Sequence, residues 1–199
     1  MLRKIQKLHT KEKIIQTGLQ LMAKQGIIAT KTLDIAKAAG ISHGTIFVHF
    51  STKNDLVVGI IDEVGRRMSE AFQTIKSENA SLRTILEAHL TVLEDFEDIF
   101  SQILIESPLL PPAVKSTLFM LQSGISHNIN QIAKKEMEEG LLQVIPPSFL
   151  FNTWNGLIYY YLSHRDLFAP GKSLIRTKGP ELIDNFMKLI AKEKEKNNG

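Results

Sequence analysis

One glycine, Gly40, stands between two short helical patterns and narrows the possible folds more than any other residue in the chain. Before it, Leu33, Ile35 and Ala36 give an apolar side to a segment of about Thr32 to Ala39. After it, a second segment runs from about Ser42 to Phe50. Gly40 falls where a tight turn needs a positive φ, which glycine adopts without steric cost. Ser42, two residues on, is the expected N-cap, because its hydroxyl can accept from a free amide of the first turn. Ile41 before that cap and Ile46 after it can form a hydrophobic staple that fixes the exit angle of the helix. Helix, short helix, tight turn, helix is the helix-turn-helix arrangement.

The faces of the third helix follow from its periodicity. Ile46 and Phe50 are four apart and share a side, expected to face a core with Ile35 and Leu21. Gly44, Thr45 and Val48 fall opposite, with Phe47 and His49 flanking the seam. A solvated face normally carries lysine and glutamate; this one is small and nearly uncharged. A helix lying in a DNA major groove needs such a face, because base edges come close and thymine methyls accept apolar contact.

The charge distribution agrees. Residues 1–55 hold nine Lys/Arg against three acids, and the other residues hold 15 against 18. A basic first quarter on an otherwise acidic chain points to a polyanionic partner for that quarter. Short segments also fluctuate in charge, so the asymmetry carries weight because the motif lies in the same quarter.

Helical spacing continues along nearly the whole chain of 199 residues. The first helix, with Ile14, Ile15, Gly18, Leu21 and Met22 in register, is expected to be capped by Thr10 and ended by Gly26. From Thr52 or Lys53 a longer helix runs to about Glu78, with Leu56, Ile60, Val64, Met68 and Phe72 on one face. Segments of about 81–97, 98–107, 113–139, 148–164 and 179–193 follow. They are separated by "SPLLPP", "VIPPSF" and "FAPGK", since proline cannot sit comfortably in a helix interior. The charged tail "KEKEKNNG" is expected to fray. With 43% hydrophobic residues a sizeable core is available. The reading is an all-α fold: a three-helix DNA-binding domain at 1–52, motif at about 31–50, and a second helical domain at 53–199.

The absence of cysteine excludes a disulfide scaffold, a thiolate zinc site and a cysteine nucleophile. The N-terminus lacks the apolar stretch of a secretory signal. No apolar run reaches the roughly 18 residues of a membrane span. A soluble cytoplasmic protein with no membrane partner is the expectation. His9, His43, His49, His89, His127 and His164 have no helix-borne metal spacing, so no metal or cofactor is expected. "HRD" at His164–Asp166 matches a kinase tripeptide without the glycine-rich loop or Asp-Phe-Gly that would support it. No Gly-x-Ser-x-Gly elbow occurs, and no catalytic residues are assigned.

The stretch "TKEKIIQTGLQLMAKQGIIATKTLDIAKAAGISHGTIFVHFSTKNDL", residues 10–56, resembles the N-terminal domain of the TetR (tetracycline-repressor-like) family of transcriptional regulators. Gly26, Thr30, "DIAKAAGIS", Gly44-Thr45, His49-Phe50 and Lys53 occur in the family's order. The resemblance implies a homodimer that binds a palindromic operator on double-stranded DNA and leaves it when a small molecule occupies the C-terminal domain. It implies phosphate contacts for Thr30, Thr32, His49 and Lys53. Ser42, His43, Gly44 and Thr45 match the groove-facing start of the recognition helix. Phe47 stands where tyrosine is usual, which keeps the packing but removes a hydroxyl that would bond phosphate. Val48 replaces a larger residue, so base contact there is expected to be apolar. Lys31 occupies a position where a small N-cap is usual. Capping alone also explains Thr30, Thr32 and Ser42, and His49 alone reads equally as a surface histidine; the spacing of the whole set favours DNA.

For the second domain, Phe96, Phe100, Phe119, Met120, Phe151, Trp154, Tyr159 and Tyr160 are the candidates for lining a cavity for an apolar or aromatic effector. Core packing accounts for such residues equally well. The helices at about 148–164 and 179–193 are rich in apolar residues; in the resembling family this pair builds the dimer. A ligand-responsive repressor is the leading reading. A protein-interaction adaptor, or an enzyme keeping the motif as scaffold, is the alternative.

Overall fold

The apolar spacing of the first segment is realised as a helix that begins earlier than expected. In a computed structural model that describes residues 2–75 and 80–192, α1 spans Leu2–Gln25. Thr10 is therefore not its cap. It lies inside the helix, and its hydroxyl donates to the Gln6 carbonyl at 2.8 Å. Gly26 ends α1 with φ of 92° and Gly40 makes the later turn with φ of 62°. Then follow α2 (Thr32–Ala38), α3 (His43–His49) and α4 (Lys53–Ile75). Residues 76–78 of the expected fourth helix lie outside the described residues, as does most of the charged tail.

The remaining helices are α5 (Leu82–Asp95), α6 (Glu97–Glu106), α7 (Pro112–Glu138), α8 (Pro147–Ser163), α9 (Arg165–Phe168) and α10 (Leu174–Ile190). A 3₁₀ turn at Ser107–Leu109 and the four-residue α9 were not expected. Among the described residues there is no strand, only an isolated bridge between Leu142 and Ala191. The all-α expectation holds.

The chain divides into two compact units. One comprises Met1–Arg66 and Asp98–Leu121, the other Arg67–Glu97 and Gln122–Gly199.

In the first unit, Ile14, Met22, Ile35, Ile46, Leu56 and Ile60 are almost wholly buried. At Gly18 α1 packs on α4: a Cβ there would make ordinary contact with Ile60 Cδ1 at 3.4 Å and Leu56 Cδ2 at 3.5 Å. Leu21, expected in this core, is half-buried, and Met22 takes the interior position. The start of α4 is held by a reciprocal cap. Asp55 accepts from the Thr52 amide at 2.9 Å, and the Thr52 hydroxyl accepts from the Asp55 amide at 3.1 Å.

In the second unit α5 packs along α10. Trp154, Phe186, Leu82, Ile85, Leu86 and Ile158 form its interior. The last helix begins at Leu174 rather than about 179, and it contains Pro180. Ser173 caps it, accepting from the Arg176 amide at 3.1 Å, and the buried Glu97 carboxylate accepts from the Ser173 hydroxyl at 2.7 Å and from the Leu174 and Ile175 amides at 2.7 and 3.1 Å. Those bonds satisfy amides that a helix start leaves free. They set the first turn ahead of the proline. Gly179 then allows contact with Leu90, whose Cδ1 would stand 3.0 Å from a Cβ.

Candidate nucleic-acid interface

The third helix is positioned from behind. Ile46 is fully buried and Phe50 is nearly so. The Phe50 ring lies against Gly59 of α4, where a Cβ would come within 2.8 Å of Cε1. Ahead of the helix, the Ser42 hydroxyl accepts from the Thr45 amide at 3.2 Å and pairs with the Thr45 hydroxyl at 2.8 Å. The α2 start has no side-chain cap, since Lys31 occupies that position.

With its back fixed, α3 turns a distinct face to solvent. Val48 is 67% exposed and Phe47 46%. Gly44 is exposed, and a Cβ there would meet nothing nearer than Ser42 Oγ at 3.9 Å. Packing inside the chain therefore does not require glycine at 44. Thr45 is half-buried beside it. His43 Nε2 lies 2.9 Å from the Thr32 hydroxyl, and its ring meets Phe47 edge-on with centroids 5.0 Å apart. Thr32, His43 and Phe47 are thus linked across the α2–α3 corner, with the Ser42–Thr45 pair at the start of α3.

His49 is half-buried at the end of α3. Burial lowers its pKa from the usual 6.5, and the positive charges of Lys7 and Lys11 lower it further. Lys53 is also half-buried, and its ammonium donates to the Ile28 carbonyl at 2.8 Å. Burial lowers the Lys53 pKa and the nearby Glu106 carboxylate opposes that effect.

Thr30 needs correction. Its side chain is completely buried, its hydroxyl donates to the Gly26 carbonyl at 2.6 Å, and it accepts from Gln25 at 3.2 Å. A group so enclosed cannot reach a phosphate; Thr30 closes the α1–α2 loop instead. Two features escaped the sequence reading. Glu106 accepts from the Ile27 and Ile28 amides at 3.0 and 2.7 Å, and it stands where a Gly26 side chain would be. Lys7 and Lys11 reach the neighbourhood of His49. No local spacing signals the first; the helical register of α1 carries the second.

The candidate ligand residues differ in exposure. Phe96, Phe100, Phe151 and Trp154 are buried. The Trp154 indole donates to His89 Nδ1 at 3.0 Å and packs on Phe186 with centroids 5.1 Å apart. Tyr159 is half-buried, and its hydroxyl accepts from Gln122 at 2.9 Å. Phe119, Met120 and Tyr160 are more than half exposed in this chain, which does not fit the wall of an enclosed cavity. A cleft of about 480 Å³ between α5 and α10 is lined by none of the eight. Its walls include the ion pairs Arg83–Asp184 (2.8 Å) and Arg176–Glu94 (2.5 Å). No cluster of three or more metal-ligating side chains occurs among the described residues, and no helix there is long and apolar enough to cross a membrane.

Residues 14–60 match the family model described as bacterial regulatory proteins, tetR family. The HTH-type transcriptional repressor Rv3405c of Mycobacterium tuberculosis is 38% identical over 56 residues, 28% of this chain and 30% of that protein. The match thus spans under a third of that relative's length. The HTH-type transcriptional regulator YvkB of Bacillus subtilis is 24% identical over 159 residues, 78% of this chain and 82% of that one. Among solved structures, reduced NemR of E. coli superposes with a TM-score of 0.75 at 14% identity, covering 93% of this chain and 98% of its own. The TetR-family regulator PfmR of Thermus thermophilus gives 0.72 at 18% identity, covering 88% and 97%. These superpositions establish the fold over nearly the whole chain, and the family-model match covers the helix-turn-helix. Residues 14–60 are thus similar to the helix-turn-helix region of the tetR family of bacterial regulatory proteins, and the fold of the chain is that of TetR-family regulators.

Proposed function

We propose that the protein is a ligand-responsive repressor that binds a palindromic operator as a homodimer and is released by a small apolar or aromatic effector. The carrying observation is the outward face of α3: Gly44 and Val48 stand open to solvent, with Thr45 half-buried beside them, on a helix whose other side is locked into the core. On this reading residues 1–52 bind DNA and residues 53–199 regulate and dimerise. Gly44, Thr45 and Val48 read base edges, and Ser42 and His43 guide the helix start into the groove. Phe47 packs against His43 and, lacking a hydroxyl, makes no phosphate hydrogen bond. Thr32, His49 and Lys53 hold the backbone, Lys53 exchanging the Ile28 carbonyl for a phosphate. The exposed side of α8, with Phe149, Gly156 and Tyr160 at helical spacing, supports pairing with a second copy. Two copies would dock in successive major grooves. Effector binding among Phe96, Phe151, Trp154 and Tyr159 would favour a population with a different recognition-helix separation.

Gel-shift titration against DNA upstream of the protein's own gene tests this. Specific binding that weakens steeply with salt is expected. Lys53→Ala should weaken all sequences alike, whereas Thr45→Ala or Val48→Ala should change the preferred sequence. Intact affinity and preference in both Thr45→Ala and Lys53→Ala would sink the contact assignment.

A further inference from the structure

The first three turns of α1 violate the local rules for a helix start. Lys4, Lys7 and Lys11 recur three and four residues apart there, all exposed. Like charges at that spacing repel, and cations beside a helix N-terminus oppose its dipole. None of the three forms an ion pair with an acid among the described residues. Residues that cost local stability without an acidic partner are the ones to examine for function.

Their register is informative. Lys7 stands seven residues before Ile14, Lys11 seven before Gly18, and Lys4 eleven before Ile15. Separations of seven and eleven return a helix to nearly the same side. The three lysines therefore continue the line by which α1 packs into the first unit, beyond its last buried residue, Ile14. The helix overhangs its core and aims a row of ammonium groups along the side on which α3 lies. Lys11 shows the direction: its Nζ is 5.6 Å from the centroid of the Phe50 ring, at the end of α3. The lowering of the His49 pKa by Lys7 and Lys11 places both charges beside the same end. Lys13, by contrast, projects from the opposite side of α1.

We propose that Lys4, Lys7 and Lys11 form a second phosphate-binding surface that holds the DNA backbone flanking the groove entered by α3. The inference rests on the DNA reading above and extends it: α1 is a contact element as well as a scaffold. The row is continuous with the candidate interface, and its charge is complementary to a polyanion. It supplies affinity and leaves sequence preference to α3.

The test uses the full chain and fluorescence anisotropy from 50 to 200 mM salt. The probes are a duplex selected by the protein from a random pool and a mixed-sequence duplex. The combined variant Lys4→Gln, Lys7→Gln, Lys11→Gln should flatten the plot of log affinity against log salt. The expected change is about 0.9 for each phosphate that the variant no longer neutralises, so up to about 2.7 per bound protomer. Both duplexes should weaken by the same factor. Lys13→Gln should keep the wild-type slope, and trimming the duplex flanks should erase the difference between wild type and the triple variant. In the free protein the His49 pKa, followed by NMR, should rise in the triple variant. A wild-type slope in the triple variant overturns the proposal, as does an equal loss in Lys13→Gln. If Thr45 and Val48 changes still alter sequence preference while the triple variant keeps its slope, this proposal alone fails. If the wild-type chain binds neither duplex, the DNA reading fails and this one with it.

Discussion

The α3 face and the Trp154–His89 pair in the second unit use similar chemistry to opposite ends. Each joins small or aromatic side chains to a polar group or two. At Trp154 the indole N–H finds His89 Nδ1, both side chains are buried, and Phe186 covers the ring. At α3, Gly44 and Val48 are uncovered and Thr45 is half-buried between them. The closed pair spends its bonding capacity on folding; the open face keeps its capacity for a partner. Substitutions should therefore separate cleanly into those that change stability and those that change binding.

The largest effect is expected at the closed site. Trp154→Ala should cost about 3–5 kcal/mol, as large-to-small changes in filled cores do. Denaturant unfolding measures it; a loss under about 1 kcal/mol would mean that the interior relaxes around the gap. Next is the pH response of His89. Burial lowers its pKa to about 4 from 6.5. The unfolded chain thus binds the proton more readily than the folded one between those values. Stability is full above pH 6.5 and falls as pH drops toward 4, by about 3 kcal/mol in all. His89→Phe should flatten that part of the unfolding profile, and an unchanged profile would assign it to other groups.

A smaller effect tests the loop behind the open face. Glu106→Ala removes the acceptor of the Ile27 and Ile28 amides and should cost about 1–3 kcal/mol. Glu106→Gln, which keeps one carbonyl, should lose less. The smallest change is the most discriminating. Gly44→Ala meets no internal clash and should raise helix stability by up to about 1 kcal/mol, while DNA affinity falls. A melting temperature and an affinity that rise together would show that the open face is not reserved for close approach.

Legibility from sequence followed the range of each interaction. The positive-φ glycines 26 and 40, the Ser42 cap and the buried pair Ile46 and Phe50 all depend on neighbours within one or two turns. The start of α1 lies ahead of Thr10 because that residue, a good cap in isolation, equally well donates to the carbonyl one turn back. The start of α10 lies ahead of Pro180 because Ser173 caps it and the distant Glu97 binds the next two amides, which the proline's neighbourhood does not reveal. In the ligand candidates, aromatic character alone does not separate buried Trp154 from exposed Phe119.

By itself the sequence determined the helix-turn-helix, its register and which side of α3 looks outward, because helical periodicity and capping are local physics. Only the tertiary structure decided that Thr30 is sealed, that Lys53 rests on Ile28, that Glu106 clamps the α1–α2 loop, and that lysines of α1 reach His49. Most of those contacts join residues 25 to 79 positions apart. Burial and electrostatic neighbourhood at such distances depend on the packing of whole helices, which no short window of sequence contains.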